Sequence, residues 1–155
     1  MVLYPKTLLK LSLVILLVMT ISPSFSQEGN IYTSRGYALS GYDAVAYFTQ
    51  NKAVKGNKDK YSFKFEGIYY AFSSLGNYNL FKANPNKYQP QYGGHCSYAM
   101  AKKGSKTSAD PEVFEIREGK LHVFYQVKGL ENWKKEDPVR LRTQADSNWT
   151  KILKK

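Results

Sequence analysis

The sequence predicts an α+β fold of two antiparallel β-hairpins and several short helices, and three observations predict it. Aromatic residues alternate with polar ones in two stretches, each broken by a Glu-Gly pair. Period-two alternation around such a turn is the pattern of a hairpin with one buried face. Between and after these stretches the apolar spacing changes to three and four, and Ser, Asn-Pro and Asp-Pro stand where helices start.

Taken in order, residues 1–26 form a presequence. Lys6 and Lys10 give a positive start, Leu11 to Ile21 is an apolar run, and Ser24-Phe25-Ser26 offers small residues at a cleavage site. The run is short for a membrane span. Cleavage after Ser26 leaves 129 of the 155 residues, enough for one ordinary domain. Gln27 to Ser34 reads as a polar, poorly ordered leader. Asp43 caps a short helix from Ala44 to about Thr49, and Ala53-Val54-Lys55 suggests a short strand. Tyr61, Phe63 and Phe65, then Ile68, Tyr70 and Phe72, form the first hairpin. Ser73 or Ser74 caps a helix with Leu75, Tyr78 and Phe81 on one face, ending near Ala83 because Asn84 precedes Pro85. Pro85 to Tyr88 makes one further turn.

Gly93-Gly94 predicts a tight turn feeding a helix over His95 to Lys102. Lys103 to Asp110 reads as a polar loop. Phe114 and Ile116 pair with Leu121, Val123 and Tyr125 in the second hairpin, with His122 and Phe124 on the opposite face. Leu130 and Trp133 mark a helix, in which Glu131 and Lys135 form an i,i+4 pair. Asp137-Pro138 starts the last helix, with Val139, Leu141, Ala145 and Trp149 on its buried side.

The chain is basic, and the presequence takes two of its 23 basic residues and none of its 12 acidic ones, leaving a formal +9. Such a charge suits anionic envelope surfaces or acidic ligands. The lysines are scattered, without a basic stripe interleaved with aromatics, and the presequence implies export, which together argue against nucleic acid. The single cysteine, Cys96, cannot form an internal disulfide in an exported chain. Asn148-Trp149-Thr150 matches a glycosylation pattern that occurs readily by chance.

The chemistry concentrates in Tyr92-Gly93-Gly94-His95-Cys96-Ser97-Tyr98-Ala99, which holds the only cysteine beside one of two histidines. A thiol in the first turn of a helix sits at its positive end, which favours thiolate. Thiolate and imidazole suit soft metals such as copper. Adjacent residues on a regular helix diverge by about 100°, so His95 and Cys96 meet at one ion only in an irregular turn. Asp43 and His122 are the remaining candidate ligands. Each also has a structural reading, Asp43 as a cap and His122 as a hydrogen-bonding residue.

These residues carry a family resemblance. Leu39-Ser40-Gly41-Tyr42-Asp43-Ala44-Val45-Ala46-Tyr47-Phe48, the aromatic hairpin, Phe81-Lys82-Ala83-Asn84-Pro85-Asn86-Lys87-Tyr88 and the Gly-Gly-His-Cys turn resemble, in that order, the YHS domain. The resemblance spans most of Leu39 to Trp149. It implies a YHS domain over residues 39–150 with a treble-clef-like core, of a kind that occurs beside copper- and heavy-metal-handling proteins. The chain departs from metal-linked relatives at Gly41-Tyr42-Asp43 and Phe72-Ser73-Ser74, where they carry cysteines, so no four-cysteine zinc site carries over. Three functions stay open. The first is an exported, periplasmic or extracellular domain binding copper through Cys96 and His95 with Asp43 or His122. The second is a metal-free interaction or scaffold module that meets an envelope protein or a small ligand. The third is a small thiol-dependent enzyme, for which His122 would have to serve as base.

Overall fold

The structure, a computed structural model, describes residues 29–155. The presequence reading lies outside the described residues. The fold is α+β, with two small sheets and helices packed around them. Among the described residues no helix is long and apolar enough to cross a membrane.

The first sheet opens with two short strands, the first of them within the stretch read from sequence as a poorly ordered leader. β1 (Thr33–Ser34) turns back on β2 (Tyr37–Ala38) through Arg35 and Gly36, both at positive φ. Two left-handed residues in a row make the tight reversal that matches strand twist. α1 covers Ala46–Gln50, two residues later than expected, because Asp43 organises a turn ahead of the helix. The strand expected at residues 53–55 is absent apart from an isolated bridge between Tyr42 and Lys55.

The aromatic hairpin is as read: β3 (Ser62–Phe65) pairs antiparallel with β4 (Ile68–Ala71), and the sheet order is β1-β2-β4-β3. α2 (Leu75–Ala83) starts at Ser74, whose Oγ accepts from Asn77 N, and α3 (Pro85–Tyr88) starts at Asn84, whose side chain accepts from Lys87 N. Phe81 is fully buried among Phe63, Phe65, Tyr70 and Phe72, whereas Leu75, expected on the same face, is 56% exposed.

α4 covers Ser97–Lys103, so its first residue follows Cys96. The second hairpin pairs β5 (Asp110–Arg117) with β6 (Lys120–Phe124). Tyr125 lies beyond the strand and is exposed. β6 is buried on both faces. Leu121 and Val123 belong to a first core with Tyr47, Tyr70, Phe72 and Phe81. Phe124 belongs to a second core with Cys96, Met100, Trp133, Leu141 and Ala145. The alternation of a strand is what lets one hairpin serve as a wall between two cores.

α5 (Val127–Lys135) and α6 (Pro138–Leu153) complete the second core through Trp133, Leu141 and Ala145. Asp137 caps α6 by accepting from Val139 N and Arg140 N. Val139, expected inside, is 61% exposed, since it stands about 200° round the helix from the buried Leu141 and faces away from the core. Glu131 pairs with Lys128 at 3.5 Å instead of the expected Lys135.

Candidate functional site

The Gly-Gly-His-Cys turn is fixed from both sides. Tyr92 and Gly93 hold φ of 53° and 60°, the left-handed region that favours glycine. At Gly93 the backbone of Asn30 and Ile31 lies so close that a Cβ would come within 2.3 Å of the Asn30 carbonyl. Tyr32 N donates to Gly93 O at 2.8 Å, and Cys96 N donates to Thr107 O at 2.9 Å. The turn is therefore clamped between the start of the described chain and the loop after α4.

This clamping sets the two candidate ligands. His95 Nε2 lies 3.1 Å from the Asn30 carbonyl, and Nδ1 is buried with no partner among the described residues. Burial holds its pKa below the ordinary 6.5, partly offset by the backbone of Asn30 and of Thr107, the latter near Nδ1 without a well-formed hydrogen bond. Cys96 is 3% exposed. Its backbone carbonyl accepts from Met100 N, and its side chain belongs to the second core. It also lines a cleft of about 220 Å³ with Tyr98, Lys102, Lys103, Tyr125 and Gln126.

His122 is fully buried and faces the second core. Its Nδ1 is 3.1 Å from Ser97 Oγ, and its ring packs between Trp133 and Tyr92 at centroid distances of 5.1 and 5.8 Å. Nε2 has no partner among the described residues. Burial first, then Arg117 and Arg142, lower its pKa to about 3. Tyr92 in turn donates to Asp146 on α6 at 2.9 Å, and burial pushes that phenol well above its ordinary pKa.

Asp43 stands in the first core instead. It is fully buried and accepts from Val45 N, Ala46 N, Ser73 N, Ser73 Oγ and Asn77 Nδ2, at 2.6–3.2 Å. Every lone pair of the carboxylate has a protein donor, so a metal would have to displace bonds that tie three segments together.

Of the four residues proposed from sequence, the fold makes Cys96 and His95 chain neighbours in one turn, puts His122 behind Ser97, and holds Asp43 apart. Among the described residues no group of three or more His, Cys, Asp or Glu side chains converges as a metal centre requires. The residues present thus do not fit a closed multi-donor metal site. Among the described residues neither imidazole hydrogen-bonds to Cys96 Sγ: His95 uses Nε2 on the Asn30 carbonyl and His122 uses Nδ1 on Ser97 Oγ. The sequence reading missed Ser97, Thr107, Asp146 and the cleft wall at Tyr125 and Gln126. The one signal available in the sequence was the adjacent pair Lys102-Lys103.

No protein-family model matches this chain, and no curated protein or solved structure matches it.

Proposed function

We propose that the chain is an exported YHS-type domain that acts as a binding module and takes its guest at Cys96. The observation that carries this reading is the place of the only cysteine: Cys96, 3% exposed, is among the residues that line a cleft whose other walls include Lys102 and Lys103. Lys102 is paired with Glu136 at 3.1 Å, so the Lys103 ammonium is the charge that favours a guest with negative charge, and the tyrosines at the walls offer apolar contact with a hydroxyl tip. The guest is a small anionic ligand or an acidic segment of an envelope partner, met in the periplasm or outside the cell. The charged start and apolar run of residues 1–26 support the location.

Copper is the second reading, favoured by one observation. The unpartnered Nδ1 of His95 belongs to the residue beside the thiol, and Met100 shares the Cys96 core. Soft sulfur donors select cuprous ion, which needs fewer ligands than the tetrahedral centre these residues do not build.

One pair of measurements separates the readings. In the first, the folded chain reacts with an anionic aromatic disulfide and with a neutral maleimide. Both should label Cys96, and Lys102→Gln with Lys103→Gln should slow the anionic reagent more than the neutral one. A thiol that reacts only in denaturant would overturn the binding reading. In the second, Cu(I) is titrated in competition with a chromophoric chelator. Stoichiometric binding lost in Cys96→Ser supports copper, and equal binding by both proteins removes it.

A further inference from the structure

The C-terminal ends of α4 and α6 meet at one junction. Asn148 on α6 donates through Nδ2 to the Met100 carbonyl at 2.9 Å, and Gly104, just past the end of α4, lies against the Asn148 side chain. Beside this junction is a cleft of about 440 Å³. Lys106 and Lys155 line it together with Ile152 and Leu153, and Gly29 and Asn30 form the rest of the wall. Lys103, Lys151 and Lys154 are exposed neighbours in the chain of residues that line it.

No carboxylate side chain lines the cleft. Among the described residues none of these five lysines is in an ion pair, because the acids of this half of the fold are engaged elsewhere: Glu136 with Lys102 and Arg140, and Asp146 with Tyr92. A simpler account is that the lysines neutralise helix carbonyls. Each helix end carries about half a negative charge, so two ends use only about one of five positive charges. Lys106 Nζ also donates to the Gly29 carbonyl and to Asn30 Oδ1, at 3.2 and 3.5 Å, neutral groups that leave its charge uncompensated, so the excess is available to a partner.

Ile152 and Leu153 are half-buried between the ammonium groups. Lysine stems lie along apolar surface while their heads reach phosphates, and juxtamembrane basic groups are drawn to anionic lipid. Ile152 packs in part against the second core, so Leu153 is the aliphatic side chain that a soluble polyanion would leave without a role.

We propose that the face formed by the C-terminal ends of α4 and α6 docks on the anionic phospholipid surface of a membrane. The proposal is independent of Cys96.

The test is co-sedimentation of the full chain with vesicles of phosphatidylcholine alone and of phosphatidylcholine mixed with phosphatidylglycerol. The apolar run is present in both arms and cancels. Binding should favour the anionic vesicles and weaken as salt is raised. Each basic residue near such a surface contributes roughly fivefold, so Lys106→Gln, Lys151→Gln and Lys155→Gln together should lower partitioning about a hundredfold. The same charge change at the first core, Lys52→Gln, Lys60→Gln and Lys82→Gln, should leave most of the binding intact. All six side chains are exposed, and circular dichroism checks that each variant is folded. Equal losses in the two triple variants would overturn the proposal, since attraction would then follow net charge alone. So would an absence of lipid preference, or binding to heparin that vesicles do not displace.

Discussion

Asp43 gives the sharpest test of how this fold is held. Its carboxylate accepts from five donors on three segments: the turn before α1, the residue that follows the aromatic hairpin, and α2. Asp43→Ala strands those donors unequally. Ala46 N keeps a second acceptor, the Asp43 carbonyl at 3.1 Å, while the Ser73 hydroxyl and the Asn77 amide can rotate. Val45 N and Ser73 N cannot. A buried donor left without a partner costs about 1–3 kcal/mol, so these two amides alone set a loss of about 2–6 kcal/mol. Asp43→Asn conserves the shape, yet it places an N–H against N–H donors whichever way the amide turns. It should still cost about 2 kcal/mol or more. Urea unfolding followed by circular dichroism and by tryptophan fluorescence measures both variants. The two tryptophans, Trp133 and Trp149, report the second core, so coincident curves would also show that β6 couples the cores. A wild-type midpoint for Asp43→Asn beside a large loss for Asp43→Ala would refute the reasoning, because it would assign the effect to volume and not to accepted hydrogen bonds.

Two further outcomes follow from the site. His122 ordinarily titrates at 6.5 and in the fold at about 3, so the unfolded chain takes up the proton first. Its contribution to stability is complete above about pH 6.5 and is lost as pH falls towards 3, a span worth roughly 3–5 kcal/mol; stability measured across that range should fall less steeply in His122→Gln. Gly93→Ala adds a Cβ at 2.3 Å from the Asn30 carbonyl in a residue at positive φ, and should cost about 2–3 kcal/mol. Because that carbonyl also holds His95, which packs 6.3 Å from Trp149, the variant should shift tryptophan emission as well as the unfolding midpoint.

Local pattern carried far in some parts of this chain. Alternating aromatics placed β3 and β4, Ser73 or Ser74 and Asp137 placed two helix starts, and Asn84 before Pro85 placed the end of α2, because a cap or a pleat is decided by neighbours in sequence. The same local logic failed at Leu75, in the first turn of α2, and at Val139, which stands about 200° round α6 from the buried Leu141. It also missed β1 and β2, whose reversal depends on two consecutive left-handed residues and on Tyr37 meeting Tyr69 from a distant strand.

By itself the sequence determined the α+β class, the two hairpins, and the concentration of thiol and imidazole at one Gly-Gly turn. Only the tertiary structure decided what those groups face. Asp43 is enclosed by donors of the first core, His122 is turned towards Ser97 and Trp133, and Cys96 is left at the edge of a cleft. Long-range packing makes that choice, because a side chain's partners come from segments far away in the sequence, and burial against them fixes its hydrogen bonds and its charge.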